Sequence, residues 1–106
     1  MPDFKKNPNL GDFQKYVFDL EKERGFDNQT ILQTCLQLGE EIGELFKSIR
    51  KKEDMKIDKN SKVSSIDEEI VDVFIFLCSI ANKYNIDLEQ AFRDKEERNK
   101  KRIWKK

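Results

Sequence analysis

Residues 29–51 of the chain read QTILQTCLQLGEEIGELFKSIRK. Apolar residues recur there in alternating steps of four and three, the spacing that keeps side chains on one face of an α-helix. They are Ile31, Cys35, Leu38, Ile42, Leu45 and Ile49. The pattern predicts a helix from about Gln29 to Lys51 with one continuous buried seam.

A second helical pattern precedes this stretch, from about Leu10 to Arg24. Asn9 is a favourable residue for capping the start of a helix, and Gly25 is a favourable residue for ending one. The apolar residues at helical spacing are Phe13, Val17 and Leu20. Residues 1–8 are expected to form a loose arm.

A third helix is predicted from about Ile66 to Tyr84, after a polar, charged segment at 52–64 that is expected to be a loop. Ser65 followed by Glu68 has the spacing of a capping box. The middle of this helix is apolar nearly all round, which indicates a helix that is either central or shared with another subunit. The residues concerned are Val71, Val73, Phe74, Ile75, Phe76, Leu77 and Ile80.

A final helix is predicted to begin at Asp87, with Gln90 at the capping-box position, and to become very basic near Arg98–Arg102. The whole chain has only four glycines and two prolines, and strand-like alternation is absent. We therefore expect an all-α fold of four helices. A length of 106 residues suits one domain, 1–106, that is completed by homo-oligomerisation.

Composition excludes several classes of function. The 21 basic and 21 acidic residues balance, so net charge gives no attraction to nucleic acid or to an anionic membrane. No apolar run approaches the roughly 20 residues that span a bilayer, and no secretory leader opens the chain, so we expect a cytoplasmic location. Cys35 and Cys78 lie inside apolar helical patterns without zinc-ligand spacing, and we expect both to be buried free thiols.

Two pairs of acidic residues at helical spacing, Glu41 with Glu44 and Glu69 with Asp72, lie beside the apolar stripes of neighbouring helices. If the two helices pack antiparallel, the pairs can converge. Four carboxylates repel one another, and Mg²⁺ is a hard cation that takes oxygen ligands. Acidic pairs on single helices are usually solvated; it is the conjunction of two pairs that favours a metal site.

The sequence also resembles a known family. EEIGE at 40–44, followed after an interval by EIVD at 69–72, is similar to the E-E-x-x-E and E-x-x-D signature of MazG-like all-α nucleoside triphosphate pyrophosphohydrolases. Lys95, Asn99 and Arg102 resemble the K-x-x-x-N-x-x-R/K segment found beyond the core helices in many members. These motifs together span residues 40 to 102.

The resemblance implies a MazG-like helical bundle that hydrolyses (deoxy)nucleoside triphosphates to the monophosphate and pyrophosphate, as a house-cleaning activity on the nucleotide pool. It implies a homodimer or a dimer of dimers, and Mg²⁺ as the cofactor, with Mn²⁺ as a substitute. The implied metal ligands are Glu41, Glu44, Glu69 and Asp72, and the implied substrate-binding residues are Lys95, Asn99 and Arg102. Because the chain has no histidine, Glu40 or Glu41 is the candidate for orienting or deprotonating the attacking water.

Other functions stay open at this level. A catalytically idle helical adaptor would bind a partner through its apolar third helix, and a phosphoribosyl-nucleotide pyrophosphohydrolase would differ only in substrate. Lys47 and Arg50 are placed either to reach phosphate or to lie on the surface. Base and sugar preference are not indicated, because aromatic residues at helical spacing are more often core residues than a platform for a base. These residues are Phe13, Tyr16, Phe46 and Trp104.

Overall fold

A computed structural model describes residues 2–103, which form four α-helices and no strand. The helices are α1 (Leu10–Arg24), α2 (Ile31–Lys52), α3 (Ile66–Lys83) and α4 (Leu88–Lys100). The expected all-α architecture is therefore confirmed. None of these helices is both long enough and apolar enough to cross a membrane.

Local side-chain hydrogen bonds set the ends of α1 and α2. Asn9 and Asp12 form a reciprocal capping box at the start of α1, and Gly25 ends that helix in the left-handed conformation with φ 76°. Thr30 and Gln33 form a second capping box at the start of α2. Each box satisfies backbone N–H groups that the first turn of a helix leaves free.

The start of α3 differs from the expectation. Ser65 is the N-cap, but its side chain makes no capping hydrogen bond, so the predicted capping box with Glu68 is wrong. The Ser65 hydroxyl instead donates to the carboxylate of Asp67, and this bond is the main cause that lowers the pKa of Asp67. At α4 one of the two bonds of the predicted capping box is present, since the Asp87 carboxylate accepts from the backbone N–H of Gln90, while the Gln90 side chain donates to Asp94 Oδ1.

Helix α3 is central, because it packs against both α1 and α2, while α4 packs against α1. Helices α2 and α3 run antiparallel. At one end Ser48 Oγ donates to the Ser64 carbonyl (2.8 Å), and at the other end Lys83 Nζ donates to the Gln29 carbonyl (3.0 Å). The predicted loop after α2 occupies residues 53–65 in the structure.

Gln14 connects three helices through one buried amide. Its Nε2 donates to Asn82 Oδ1 (3.1 Å) and to the Ile86 carbonyl (2.7 Å). Its Oε1 accepts from the backbone N–H of Leu88 (2.8 Å), and Asn82 Nδ2 donates to the Gln14 carbonyl. This network holds α1 against the end of α3 and the start of α4. Nothing in the helical pattern of the sequence distinguished Gln14.

The apolar core of the described chain is small. Its buried apolar residues are Val17, Leu20, Cys78 and Ala81. Small domains bury a low fraction of their surface, and a core of this size indicates that further apolar surface is available for contact.

Helix α2 buries the predicted seam only in part, since four of its six residues are half-buried. Its buried residues are Thr34 and Ser48, whereas Cys35 and Ile49 of the seam are exposed. Thr34, Glu41 and Ser48 are spaced by seven, so they lie on one face, and this face is directed at α3. The expectation of a buried Cys35 is wrong for the same reason; Cys78 is buried as expected.

Several large apolar side chains of α2 and α3 are exposed in consequence. We call them the outer apolar set: Leu32, Leu36, Phe46, Ile49, Ile70, Val71 and Leu77, with 41 to 65% of each residue exposed. Contiguous exposed apolar surface on a small protein marks an interaction site.

The described part of the N-terminal arm, residues 2–8, has no helix and contacts α1 through the Phe4 ring and through Lys5, whose Nζ lies 3.6 Å from the Asp12 carboxylate. Phe4 stacks on Tyr16 with ring centroids 4.7 Å apart and meets the edge of Phe13 at 5.1 Å. Phe13 in turn meets Phe74 of α3 at 5.6 Å. These rings form a small aromatic cluster on one side of the bundle.

Candidate metal and substrate site

The antiparallel packing of α2 and α3 brings three carboxylates together. Oxygen atoms of Glu41, Glu69 and Asp72 all lie within 4.8 Å of one another. Glu69 and Asp72 are one turn apart on α3, and Glu41 is directed at them from the α3-facing side of α2. We refer to these three residues as the acidic cluster.

Glu69 is the most deeply placed member of the acidic cluster. Only 4% of the residue is exposed, and its Oε2 atom is buried without a hydrogen-bond partner. A buried carboxylate oxygen without a partner is unfavourable unless a cation or a proton compensates it. A divalent cation within reach of the three carboxylates supplies that compensation.

The pKa of Glu41 is raised by its partial burial and by its position among the other carboxylates. Partial burial is the main cause that raises the pKa of Glu41, followed by the negative charge of Asp72. A hydrogen bond to Glu69 and the charges of Glu69 and Glu44 raise it further. A divalent cation bound among these carboxylates would relieve the repulsion that raises the pKa of Glu41.

Glu44 and Glu40 lie outside the acidic cluster. The Glu44 carboxylate is 3.8 Å from Lys47 Nζ, and both side chains are partly exposed. Glu44 is still near enough for its charge to affect Glu41. Glu40 is exposed. The structure thus groups three of the four expected metal ligands, with Glu44 at the edge of the group.

A cavity of about 270 Å³ borders the acidic cluster, because Glu41 and Asp72 line both. Its other walls come from α1, the segment after α1, α2 and α3. The remaining lining residues are Leu20, Glu21, Arg24, Phe26, Gln29, Gln37, Ile75, Phe76 and Ser79. Sequence reasoning missed this cavity. The one available signal was Gln37, a polar residue one helical turn before Glu41.

The expected phosphate-binding residues are elsewhere in the described chain. Lys95 is exposed on α4, and Arg102 is exposed just beyond it. Asn99 is partly buried; its Nδ2 donates to Glu96 Oε2 (2.8 Å), and its Oδ1 is buried without a hydrogen-bond partner. Helix α4 packs on α1, and none of its described residues lines the cavity.

The side chains of Lys47 and Arg50 are engaged locally. Lys47 pairs with Glu44, and Arg50 donates to the Lys56 carbonyl in the loop that follows α2. Both contacts favour the surface interpretation of these two residues over a phosphate contact.

The aromatic residues considered in the sequence do not line the cavity. Phe13 and Tyr16 belong to the cluster with Phe4, Phe46 is 60% exposed, and Trp104 lies outside the described residues. The cavity is instead bordered by Phe26 and Phe76, which the sequence pattern alone had not distinguished from core residues.

Residues 29–104 match the family model of the MazG nucleotide pyrophosphohydrolase domain. No curated protein sequence matches the chain.

Solved structures share the fold. The crystal structure of YPJD from Bacillus subtilis, assigned as a pyrophosphatase, aligns with a TM-score of 0.79 at 26% identity, over 93% of this chain and 100% of that one. The C-tagged form of iMazG from Vibrio DAT 722 aligns at 0.68 and 29% identity, over 88% and 99% of the two chains. Its N-tagged form aligns at 0.67 and 29% identity, over 88% and 95%. With the family model matching most of its length, the chain belongs to the MazG nucleotide pyrophosphohydrolase family.

Proposed function

We propose that the protein hydrolyses nucleoside or deoxynucleoside triphosphates to the monophosphate and pyrophosphate in a reaction that depends on Mg²⁺. The observation that carries this proposal is the acidic cluster at the mouth of a cavity with apolar walls. A metal site beside a concave, largely apolar pocket suits a ligand that has both a charged and a ring-shaped part.

The donor set of the acidic cluster fits Mg²⁺. All three members offer carboxylate oxygens, the ligands that hard cations prefer, and Mg²⁺ is commonly held by a few carboxylates while it keeps several waters. Glu69 Oε2 is a buried oxygen that still needs a partner. Glu44 completes the proposed set with Glu41, Glu69 and Asp72. Mn²⁺, with similar ligand preferences, is expected to substitute.

Bound Mg²⁺ would neutralise part of the triphosphate charge and lower the pKa of a coordinated water. Side chains would position the attacking water and accept its proton. Glu40 and Glu41 are the proposed residues for orienting the attacking water or accepting its proton. Glu41 is the better placed of the two, because it borders the cavity and belongs to the acidic cluster.

Lys95, Asn99 and Arg102 are proposed to contact the phosphates. Arginine binds phosphate through its planar fork and lysine acts as a mobile charge. Since α4 packs on α1 and lines no part of the cavity, we propose that a second copy of the chain brings these residues to the site. The unpaired Oδ1 of Asn99 is consistent with a contact that one copy does not provide.

The outer apolar set is the proposed contact between copies. Its residues lie on α2 and α3, the same helices that carry the acidic cluster. Burying them against a second copy removes apolar surface from water, and cyclic two-fold pairing is the commonest closed arrangement. We propose a homodimer or a dimer of dimers.

The reaction is tested by incubating the protein with a panel of canonical and modified nucleoside triphosphates, with and without Mg²⁺. Monophosphate and pyrophosphate are measured in the same samples. Equal, Mg²⁺-dependent release of the two products is expected. Release of inorganic phosphate together with the nucleoside diphosphate contradicts the proposal, and so does the absence of any product from every triphosphate.

A further inference from the structure

Helix α4 is held against the bundle with little apolar packing. Among the residues that the structure describes, 2–103, none in α4 is buried, and its largest apolar side chain, Phe92, is 65% exposed. Most helices in proteins are held by the packing of an apolar face. The direction of α4 therefore depends on polar contacts, and these lie at its N-terminal end.

Gln14 of α1 makes the polar contacts at the start of α4. Gln14 is buried. Its Oε1 accepts from the N–H of Leu88, the first residue of α4 (2.8 Å), and its Nε2 donates to the Ile86 carbonyl (2.7 Å). The Leu88 N–H is one of the N–H groups that the first turn of a helix leaves free. Because the two bonds lie on either side of Asp87, they fix the direction in which the chain enters α4.

The connection between α3 and α4 is short and is closed by its own backbone bonds. It consists of residues 84–87. Asn85 adopts the left-handed conformation with φ 54°, and the Ile86 N–H donates to the Ala81 carbonyl (2.8 Å), a pattern that ends many helices. The chain is thus fixed to α3 as far as Ile86, and Gln14 holds the turn from there into α4.

The length of α4 amplifies any change in its direction. An α-helix rises about 1.5 Å per residue, so Lys95 and Asn99 lie about 10 Å and about 16 Å beyond Leu88 along the axis. A tilt of about 10° at Leu88 would move Asn99 by about 3 Å. A displacement of about 1 Å at a reacting site can cost about a hundredfold in rate. The residues proposed to contact phosphate are therefore sensitive to whatever holds the start of this helix.

We propose that Gln14 is a positioning residue, which sets the direction of α4 through the Ile86 carbonyl and the Leu88 N–H. That direction places Lys95 and Asn99 against the phosphates of the substrate. The inference rests on the proposed function. Gln14 does not belong to the acidic cluster and does not line its cavity, so it acts on the reaction through α4.

The direction of α4 is measured first. Backbone N–H residual dipolar couplings of ¹⁵N-labelled protein in an aligned medium give the angle between α3 and α4. Gln14→Met keeps the length of the side chain and removes its amide. It is expected to tilt α4 or to widen its range of directions, while α1, α2 and α3 keep theirs. An unchanged direction and order of α4 overturns the inference.

Gln90→Met is the matched control for this measurement. Gln90 is exposed on α4, and its side chain donates to Asp94 of the same helix. The substitution is therefore expected to leave the angle between α3 and α4 unchanged. A tilt as large as that in Gln14→Met overturns the inference, because α4 would then respond to any lost side-chain bond.

Turnover is compared in a double-mutant cycle. Gln14→Met is expected to lower kcat/KM about ten- to a hundredfold. If the loss arises because Lys95 is misplaced, it should be at least about threefold smaller in protein that already carries Lys95→Met, since residues of one network are not additive. A side chain that only stabilises the fold gives the same factor in both backgrounds, and that result overturns the inference.

Leu88→Pro tests the same hydrogen bond from the other side and decides the inference if Gln14→Met does not fold. Proline is tolerated at the first residue of a helix but has no N–H. Asp87 already has the extended conformation that a residue before proline adopts. Leu88→Pro is expected to tilt α4 and lower kcat/KM, whereas Leu88→Ala keeps the N–H and is expected to keep the direction of α4. Equal tilts in the two variants overturn the inference.

A binding measurement keeps the inference separate from the proposed function. If no triphosphate is hydrolysed, the proposed function fails, and binding of inorganic pyrophosphate in the presence of Mg²⁺ replaces turnover in the test. A Kd at least about tenfold higher in Gln14→Met than in the wild type supports the inference. Equal Kd values, or no binding to the wild type, overturn it.

Discussion

The two faces of α2 depart in part from the usual pattern of a helix in a small protein. The face that packs on α3 presents Thr34, Glu41 and Ser48, two of which are buried. The outward face presents Leu32, Leu36 and Phe46, each at least 60% exposed. In most soluble helices the apolar face is inside and the polar face is outside. The difference indicates that the acidic cluster lies between α2 and α3, and that the exposed apolar residues of α2 are available for contact with another molecule.

Small hydroxyl residues make the polar interior tolerable. Thr34 Oγ1 donates to the Thr30 carbonyl, and Ser48 Oγ donates to the Glu44 and Ser64 carbonyls. Each hydroxyl is satisfied within the chain, so its burial carries little penalty. The buried Oε2 of Glu69 has no such partner, which is why a cation is the expected complement of the inner face.

The largest expected effect comes from removing one charge of the acidic cluster. Glu41→Gln should lower turnover by about 10²- to 10⁴-fold, the range for loss of a positioned general base. Without Mg²⁺ the variant should be at least as stable as the wild type, because the substitution removes repulsion that raises the pKa of Glu41. Turnover is measured as pyrophosphate release, and stability by thermal unfolding.

Glu53→Gln is the control for that substitution, since Glu53 follows α2 and is exposed. It should change neither quantity. Retained turnover in Glu41→Gln would remove Glu41 from the proposed site.

The reactivity of the two cysteines distinguishes the exposed surface of α2 from the buried core. Burial raises the pKa of the Cys78 thiol from 9.0 to about 11, which alone lowers its thiolate fraction about 100-fold. Cys35, on the exposed side of α2, should therefore react with a thiol reagent at least about 100 times faster in the native protein. If a second copy covers the outward face, the rate at Cys35 should fall as protein concentration rises. Similar rates at both cysteines would contradict this account of α2.

The raised pKa of Cys78 also predicts how the free energy of unfolding changes with pH. The unfolded chain loses this proton near pH 9, whereas the folded chain keeps it until about pH 11. In that window the unfolded state binds fewer protons, so the free energy of unfolding should fall as pH rises. Cys78→Ala is the variant in which this contribution is absent, as measured by denaturant titration across the window.

Mg²⁺ bound at the acidic cluster should stabilise the folded protein. A ligand that binds only the folded state at a hundredfold excess over its Kd adds about 2.7 kcal/mol to the free energy of unfolding. Thermal unfolding in MgCl₂ is compared with NaCl at equal ionic strength, which separates binding from screening. Glu69→Gln, which alters the buried member of the acidic cluster, should abolish the difference. An equal effect of both salts on the wild type would argue against a metal site.

A charge on the outward face should break the contact between copies. Leu36→Asp is expected to weaken self-association at least about tenfold, the range for loss of a central apolar anchor. Activity should fall with it, because Lys95 and its neighbours are proposed to come from the second copy. Light scattering after size exclusion gives the mass.

Met55→Asp, in the exposed loop after α2, is the matched control and should leave the mass unchanged. A wild-type protein that is monomeric at micromolar concentration would count against the proposed contact.

The smallest effect is expected at the inner hydroxyl. Thr34→Val keeps the shape of the side chain, and the Thr30 carbonyl still accepts from the backbone N–H of residue 34. The free energy of unfolding should change by about 1 kcal/mol or less, with activity retained. Thr34→Leu adds volume to a residue that is 1% exposed and should separate α2 from α3, with a larger loss of both. Equal tolerance of the two substitutions would mean that the helices are not closely packed at this position.

Helix bounds and the acidic pairs were accessible from the sequence because both depend on neighbours along the chain. Asn9 and Gly25 define α1 by local backbone chemistry, and the observed bounds of that helix are those predicted. The spacing of Glu69 and Asp72 likewise fixes their shared face on α3. The prediction that two acidic pairs can converge followed from this spacing and from antiparallel packing.

The rotation of α2 about its own axis was decided only by the tertiary structure. Periodicity gives the angles between residues of one helix, but the side that faces a neighbour depends on how the surfaces of both helices fit. The apolar seam of α2 was therefore predicted to be buried throughout, whereas its residues are half-buried or exposed and the buried residues of the helix are Thr34 and Ser48. The burial of Glu69, the position of Glu44 outside the acidic cluster and the cavity beside Gln37 follow from that rotation. They depend on contacts between residues far apart in sequence, which a pattern along one helix does not contain.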